Sequence, residues 1–175
     1  MIKTFEPYID TDFRYSFLSG PDAVRTPEEA LRLGINCISL AHFVLTDLFN
    51  VQLPETLGFA ETCMNREMFQ EVHDGAPIKA GDLQWFGLAD AAIEPHEFVP
   101  KYKEGQLINW ADFPVKHVAI YTGVELDGEP LLLHSTDYTG TNSMWKLSEF
   151  ANNRKRCQKL YGVTRLKRSS HLISE

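Results

Sequence analysis

Gly34-Ile35-Asn36-Cys37-Ile38-Ser39-Leu40-Ala41-His42-Phe43-Val44-Leu45 sets a cysteine where a helix should begin and an apolar stripe directly behind it. Leu40, Ala41, Val44, Leu45 and Leu48 recur at three- and four-residue steps, which predicts a helix with one buried face ending near Asn50. Asn36 is a good cap for it. Upstream, Thr26-Pro27-Glu28-Glu29 reads as cap, first-turn proline and acidic first turn of a shorter helix that Gly34 stops. Cys37 then falls in a first turn, where unpaired N–H groups and the positive end of the helix dipole favour a thiolate. On this stretch alone, burial as a small apolar residue accounts for Cys37 more simply. Partners elsewhere in the chain are needed to change that reading.

Outward from this stretch the chain divides into helices first and strands second. Phe13, Tyr15 and Phe17 alternate before Ser19-Gly20-Pro21-Asp22, which predicts a short strand and a turn. Glu61 to Val72 reads as a third helix with Met64, Met68 and Phe69, and Cys63 as packing within it. Leu83-Gln84-Trp85-Phe86 is a compact strand after Lys79-Ala80-Gly81-Asp82. Residues 87–114 carry Pro95, Pro100, Gly105 and Pro114 without a clear period, a long excursion suited to a lid, a binding loop or an elaborated surface loop. Val115 to Leu126, the turn Asp127-Gly128, and Pro130 to Ser135 form a β-hairpin. A short helix near Ser148-Glu149-Phe150 and a strand from Leu160 to Leu166 complete the pattern, with no internal repeat. The expected fold is α+β, one domain over residues 1–175, with N-terminal helices packed on one side of an antiparallel sheet. Residues 1–12 and 169–175 are expected to be loose ends.

Composition narrows the partners. At 175 residues and 43% hydrophobic, the chain can bury one substantial core. No apolar run reaches the roughly 18 to 20 residues of a membrane span, and Met1-Ile2-Lys3-Thr4-Phe5-Glu6-Pro7 is no signal-peptide start. A cytoplasmic protein, or one exported without a classical signal peptide, is expected. The net charge of −7 argues against nucleic acid and anionic membranes. The excess hides a basic end, Arg154, Lys155, Arg156, Lys159, Arg165, Lys167 and Arg168, which lacks the interleaved aromatics of a nucleic-acid platform. Cys37, Cys63 and Cys157 are too few and too far apart for a disulfide framework. Cys37, Cys63, His73 and His96 also lack the close-paired spacing of a zinc site, so no metal and no cofactor are expected.

Thiol chemistry needs a base for the proton and a third group to hold that base. His42 projects roughly 140° around the helix from Cys37 and serves poorly. His73 and His96 fall in loops and His171 in a polar tail. His117 opens one hairpin strand and His134 ends the other. A symmetric Asp127-Gly128 turn sets Tyr121 opposite His134 and Tyr138 opposite His117, with both histidines on one face. They are then about 13 Å apart along the strands, so contact requires a bulge, a longer turn or a stagger.

Five segments in this order resemble the NlpC-type cell-wall peptidases, a family of papain-fold cysteine peptidases. They are Tyr15-Ser16-Phe17, Asn36-Cys37-Ile38-Ser39-Leu40, Gly81-Asp82-Leu83-Gln84-Trp85-Phe86, His117-Val118-Ala119-Ile120-Tyr121-Thr122-Gly123 and Leu133-His134-Ser135, covering about residues 13–166. The resemblance implies a papain-like fold, Cys37 as nucleophile, His117 as general base and then acid, and His134 as the residue orienting His117. Tyr15 would help hold the oxyanion. It implies hydrolysis of an amide or peptide bond through an acyl-thioester, on a short peptide of the peptidoglycan-stem type. The family usually writes Asp-Cys-Ser-Gly-Leu, whereas Asn36 here replaces the acid, so a contact to a substrate amine does not carry over. An acyltransferase using the same residues is the alternative among enzymes. A non-catalytic binding module using the 87–114 excursion with Trp85, Trp110 and Trp145 is the alternative outside them.

Overall fold

The computed structural model describes residues 4–9, 13–16, 24, 26–51, 53–54, 57–137, 139–152 and 157–167. Phe17, Tyr138, His171 and the basic residues Arg154, Lys155, Arg156 and Arg168 lie outside these, as does the expected loose end 169–175. The other expected loose end is fastened where it is described. Residues Glu6–Tyr8 form a single 3-10 turn, Tyr8 Oη donates to Asp47 at 2.5 Å, and Asn142 Nδ2 donates to the Tyr8 carbonyl at 3.1 Å.

Helix α1 spans Pro27–Leu33, and Thr26 and Glu29 cap it reciprocally. Gly34 ends it at φ +87°, where a Cβ would stand 2.7 Å from the Arg14 carbonyl oxygen. Only glycine fits there without strain. Helix α2 spans Cys37–Phe49, with Asn36 Oδ1 accepting from the Ser39 N–H at 2.9 Å and left-handed Asn50 closing the far end. Helix α3 spans only Phe59–Met64, shorter than the expected Glu61–Val72. Asn65 is the cause: its side chain accepts from the N–H groups of Glu67 and Met68, turning the chain out of the helix. Strand β1, Phe69–Glu71, follows at once.

The remaining elements are β2 (Leu83–Gly87), a small hairpin of β3 (Tyr102–Lys103) and β4 (Gln106–Leu107), β5 (Val115–Leu126), β6 (Glu129–Ser135), β7 (Asn142–Lys146), α4 (Leu147–Ala151) and β8 (Lys159–Leu166). Six strands form one antiparallel sheet in the order β1-β8-β2-β5-β6-β7. The protein is therefore α+β. The 88–114 excursion is pinned down rather than hanging free: Trp110 and Phe113 meet Phe59 of α3 edge-on at 5.0 and 6.2 Å, and Phe98 packs on Phe113 at 4.7 Å. Trp85 is buried, with its indole N–H donating to Thr164 Oγ1.

Both faces of the sheet are covered, where helices on one side were expected. Val118, Ile120 and Leu133 pack in the larger core with Leu40, Ala41, Val44 and Leu45 of α2. Ala119, Tyr121 and Leu132 point the other way and pack with Phe86, Cys157 and Phe150 of α4. Strands apolar on both faces need a cover on each. On the second face Phe150 supplies much of it, stacked on Phe86 at 4.5 Å.

The register of the β5–β6 hairpin decides where the histidines fall. Beside the turn, Leu126 pairs with Glu129 and Glu125 with Pro130, as a symmetric two-residue turn requires. Farther on, Tyr121 pairs with Leu132 and Ile120 with Leu133, so Tyr121 is not opposite His134. A bulge in β5 separates the two registers. Within it Gly123 adopts φ +82° and Thr122 Oγ1 donates to the Leu131 carbonyl at 2.9 Å. Continuing the inner register sets His134 beside Ala119, two positions from His117. The separation along the strands falls to about 7 Å.

Candidate active site

His117 and His134 meet. His117 Nε2 lies 2.9 Å from His134 Nδ1, with the rings perpendicular and 5.0 Å apart. Both are buried, at 6% and 1% exposure. His134 Nε2 reaches Ser143 Oγ of β7 at 3.3 Å. Trp145 lies against the His134 ring at 4.4 Å, and Phe150 packs on both imidazoles, at 4.8 Å from His134 and 5.9 Å from His117. Burial, then the neighbouring His117, pushes the His134 pKa well below the ordinary histidine value. Both effects favour the neutral form of the His134 imidazole.

The start of α2 is fastened to the same end of the sheet. Ser135, the last residue of β6 and the neighbour of His134, donates from Oγ to the Ile35 carbonyl at 3.2 Å. Tyr15 forms a parallel bridge with Ile35, and Arg14 an antiparallel bridge with Thr141 at the head of β7. The Tyr15 N–H donates to Gly140 at 2.9 Å, and the Ser16 N–H to Ile35 at 3.0 Å. Segments 13–16, 35–37, 134–135 and 140–143 thus converge. Cys37 is 9% exposed, in the first turn of α2, and belongs to the core on the α2 face. The imidazoles stand on the α4 face, opposite the face to which Cys37 belongs.

The other sequence candidates have structural work. His42 Nε2 lies 3.0 Å from Thr62 Oγ1, whose own proton goes to the Gly58 carbonyl at 2.6 Å, so His42 is the donor. Burial pushes the Cys63 thiol up to about 12. Among the described residues no group of three or more His, Cys, Asp and Glu is arranged to hold a metal ion. A cavity of about 260 Å³ lies elsewhere, between Cys63, Arg66, His73, Trp85 and Tyr161, and includes none of the four site candidates. Sequence reasoning missed Ser143 and Phe150 as neighbours of the imidazoles, and assigned Trp145 only to partner binding. The one available signal was Trp145-Lys146-Leu147 leading into Phe150 soon after His134.

No family model matches the chain, and no curated protein or solved structure is significantly similar to it.

Proposed function

We propose that the protein is a papain-like cysteine hydrolase of the NlpC type, cleaving an amide or peptide bond through an acyl-thioester on Cys37. One observation carries this reading: a buried His117–His134 pair at the sheet end to which Ser135 and Tyr15 fasten the segment leading into Cys37.

His117 Nε2 is committed to His134, so exchange with the thiol runs through His117 Nδ1. The Cys37 thiol gives its proton there and the helix start favours the thiolate. Sγ attacks the substrate carbonyl carbon, the C–S bond forms, and the oxygen takes the charge. First-turn N–H groups and Tyr15 stabilise that oxyanion. The His117 imidazolium protonates the leaving nitrogen as the C–N bond breaks. In the second half His117 takes a proton from water, hydroxide attacks the thioester carbon, and the C–S bond breaks to restore the thiolate. His134 accepts from His117 Nε2–H throughout, steadying the imidazolium while its own depressed pKa keeps it neutral. A peptidoglycan-stem-type peptide as substrate rests on the family resemblance alone.

Alkylation by iodoacetamide near pH 6 tests the reading. Cys37 reacts faster than Cys63 and Cys157, and His117→Ala slows it on the order of 10²-fold, the lower range for loss of a general base. Equal rates for all three cysteines, or an unchanged Cys37 rate in His117→Ala, would falsify the assignment.

A further inference from the structure

We propose that the cavity beside α3 is a binding site for a free amino acid with an uncharged side chain, its carboxylate held at Arg66 and its ammonium at Asp74. The cavity has a volume of about 260 Å³. A water takes up about 30 Å³ in the liquid, so the space suits a small molecule. Its floor is the pair of strands β2 and β8. Trp85 pairs there with Gly162, and Thr164, two residues on, projects from the same face and accepts the Trp85 indole N–H at 2.8 Å. A Cβ on Gly162 would meet no heavy atom within 4 Å, so the floor is open above that residue. One wall is fastened in place: Tyr161 Oη donates to the Leu88 carbonyl at 2.7 Å and Lys159 pairs with Glu94 at 3.0 Å, beside Pro95 of the lining.

The polar groups of the lining decide the ligand's charges. Thr164 is 3% exposed, and among the described residues nothing accepts its own hydroxyl proton. Arg66 gives three of its five hydrogens to Glu71 and the Cys63 carbonyl, which leaves one on each terminal nitrogen. Both residues can therefore serve an anionic oxygen. Asp74 is exposed at the mouth and meets no donor among the described residues. Burial keeps the Cys63 thiol protonated, so it adds no charge. A simple anion would be repelled by Glu71 and Asp74, and a simple cation would leave Thr164 and Arg66 without an acceptor. A small molecule carrying both charges answers both, and the uncharged side chain has Trp85 and Gly162 beneath it.

The test follows the Trp85 indole N–H by proton–nitrogen NMR of the full-length protein during titration with L-alanine, L-leucine and L-phenylalanine. Acetate and methylammonium chloride are the single-charge controls. At least one amino acid is expected to shift the signal saturably, with a Kd of about 1 mM or tighter, because the hydroxyl that receives the indole turns its proton to the ligand. Neither control is expected to shift it at the same concentrations. Arg66→Gln and Asp74→Asn are each expected to weaken binding on the order of tenfold or more, the scale of a hydrogen bond to a charged group. No saturable shift with any of the three amino acids, an equal shift with either control, or unchanged affinity in either variant overturns the proposal. Both substitutions fall on exposed side chains, and the wild-type titration decides even if a variant fails to fold. The cavity includes none of Tyr15, Cys37, His117 and His134, so the outcome is independent of the hydrolase reading.

Discussion

His134 offers His117 an acceptor at 2.9 Å and otherwise meets Ser143 and the faces of two aromatic rings. What the proposed chemistry needs from it is that acceptor in a fixed place. A side chain of similar reach with a carbonyl oxygen can supply it, and an apolar one cannot. His134→Gln is therefore expected to keep Cys37 alkylation within about tenfold of wild type, whereas His134→Leu loses on the order of 10²-fold, the scale set by misplacing a catalytic group. Alkylation rates near pH 6 on both variants check this, and a Leu variant as fast as the Gln variant would remove His134 from the mechanism. Cys63 gives little background in such an experiment, because its thiol is pushed up to about 12 and it is almost entirely protonated at that pH.

At the level of elements, the meeting of the two histidines depends on the β5 bulge. Without it the Asp127-Gly128 register would run on and leave His117 and His134 four positions apart. Gly123 is the residue that makes the bulge possible: it sits at φ +82°, and a Cβ there would come 3.0 Å from Ala80 Cβ. Gly123→Ala is expected to cost about 1–3 kcal/mol of stability, the range for a residue held in a sparsely populated backbone region. It should also disturb the imidazole pair. Denaturant melts measure the first effect and the histidine ring NMR signals the second; a variant with wild-type stability and signals would show that the bulge does not need a glycine. The sequence revealed that some such irregularity was required for contact, because position sums across the hairpin can be read directly from residue numbers. It did not say where, since the place of a bulge depends on neighbours distant in the chain, such as Ala80 beside Gly123. The strand β7 was illegible for a related reason. Asn142 and Ser143 are polar yet sit at a buried and a half-buried position, so hydropathy reads them as loop. In α3 the misreading ran the other way: Met64, Met68 and Phe69 keep helical spacing although Asn65 has already broken the helix. The capped starts of α1 and α2 were legible because Thr26, Glu29 and Asn36 act within three residues of themselves.

For the whole molecule, the two covered faces of the sheet give the histidine pair an interior environment, and this links the site to the stability of the fold. His134 is driven toward the neutral form by burial and then by His117. In the unfolded chain the same imidazole takes up a proton near its ordinary value of about 6.5. Below that pH the unfolded state binds a proton that the native state refuses, so stability is fully present above pH 6.5 and is lost as the pH falls. The loss continues down to the folded pKa, with a slope of at most about 1.4 kcal/mol per pH unit from this one group. Urea unfolding at half-unit steps from pH 7.5 to 4.5 is expected to show the midpoint falling from about pH 6.5 downward, before carboxylate protonation contributes. His134→Gln has no proton to bind in either state. Its curve is therefore expected to be flatter over the same window, even where its stability at pH 7.5 is lower. Parallel curves for the two proteins would mean that His134 is protonated in the folded molecule, and the neutral acceptor assigned to His117 would have to be abandoned.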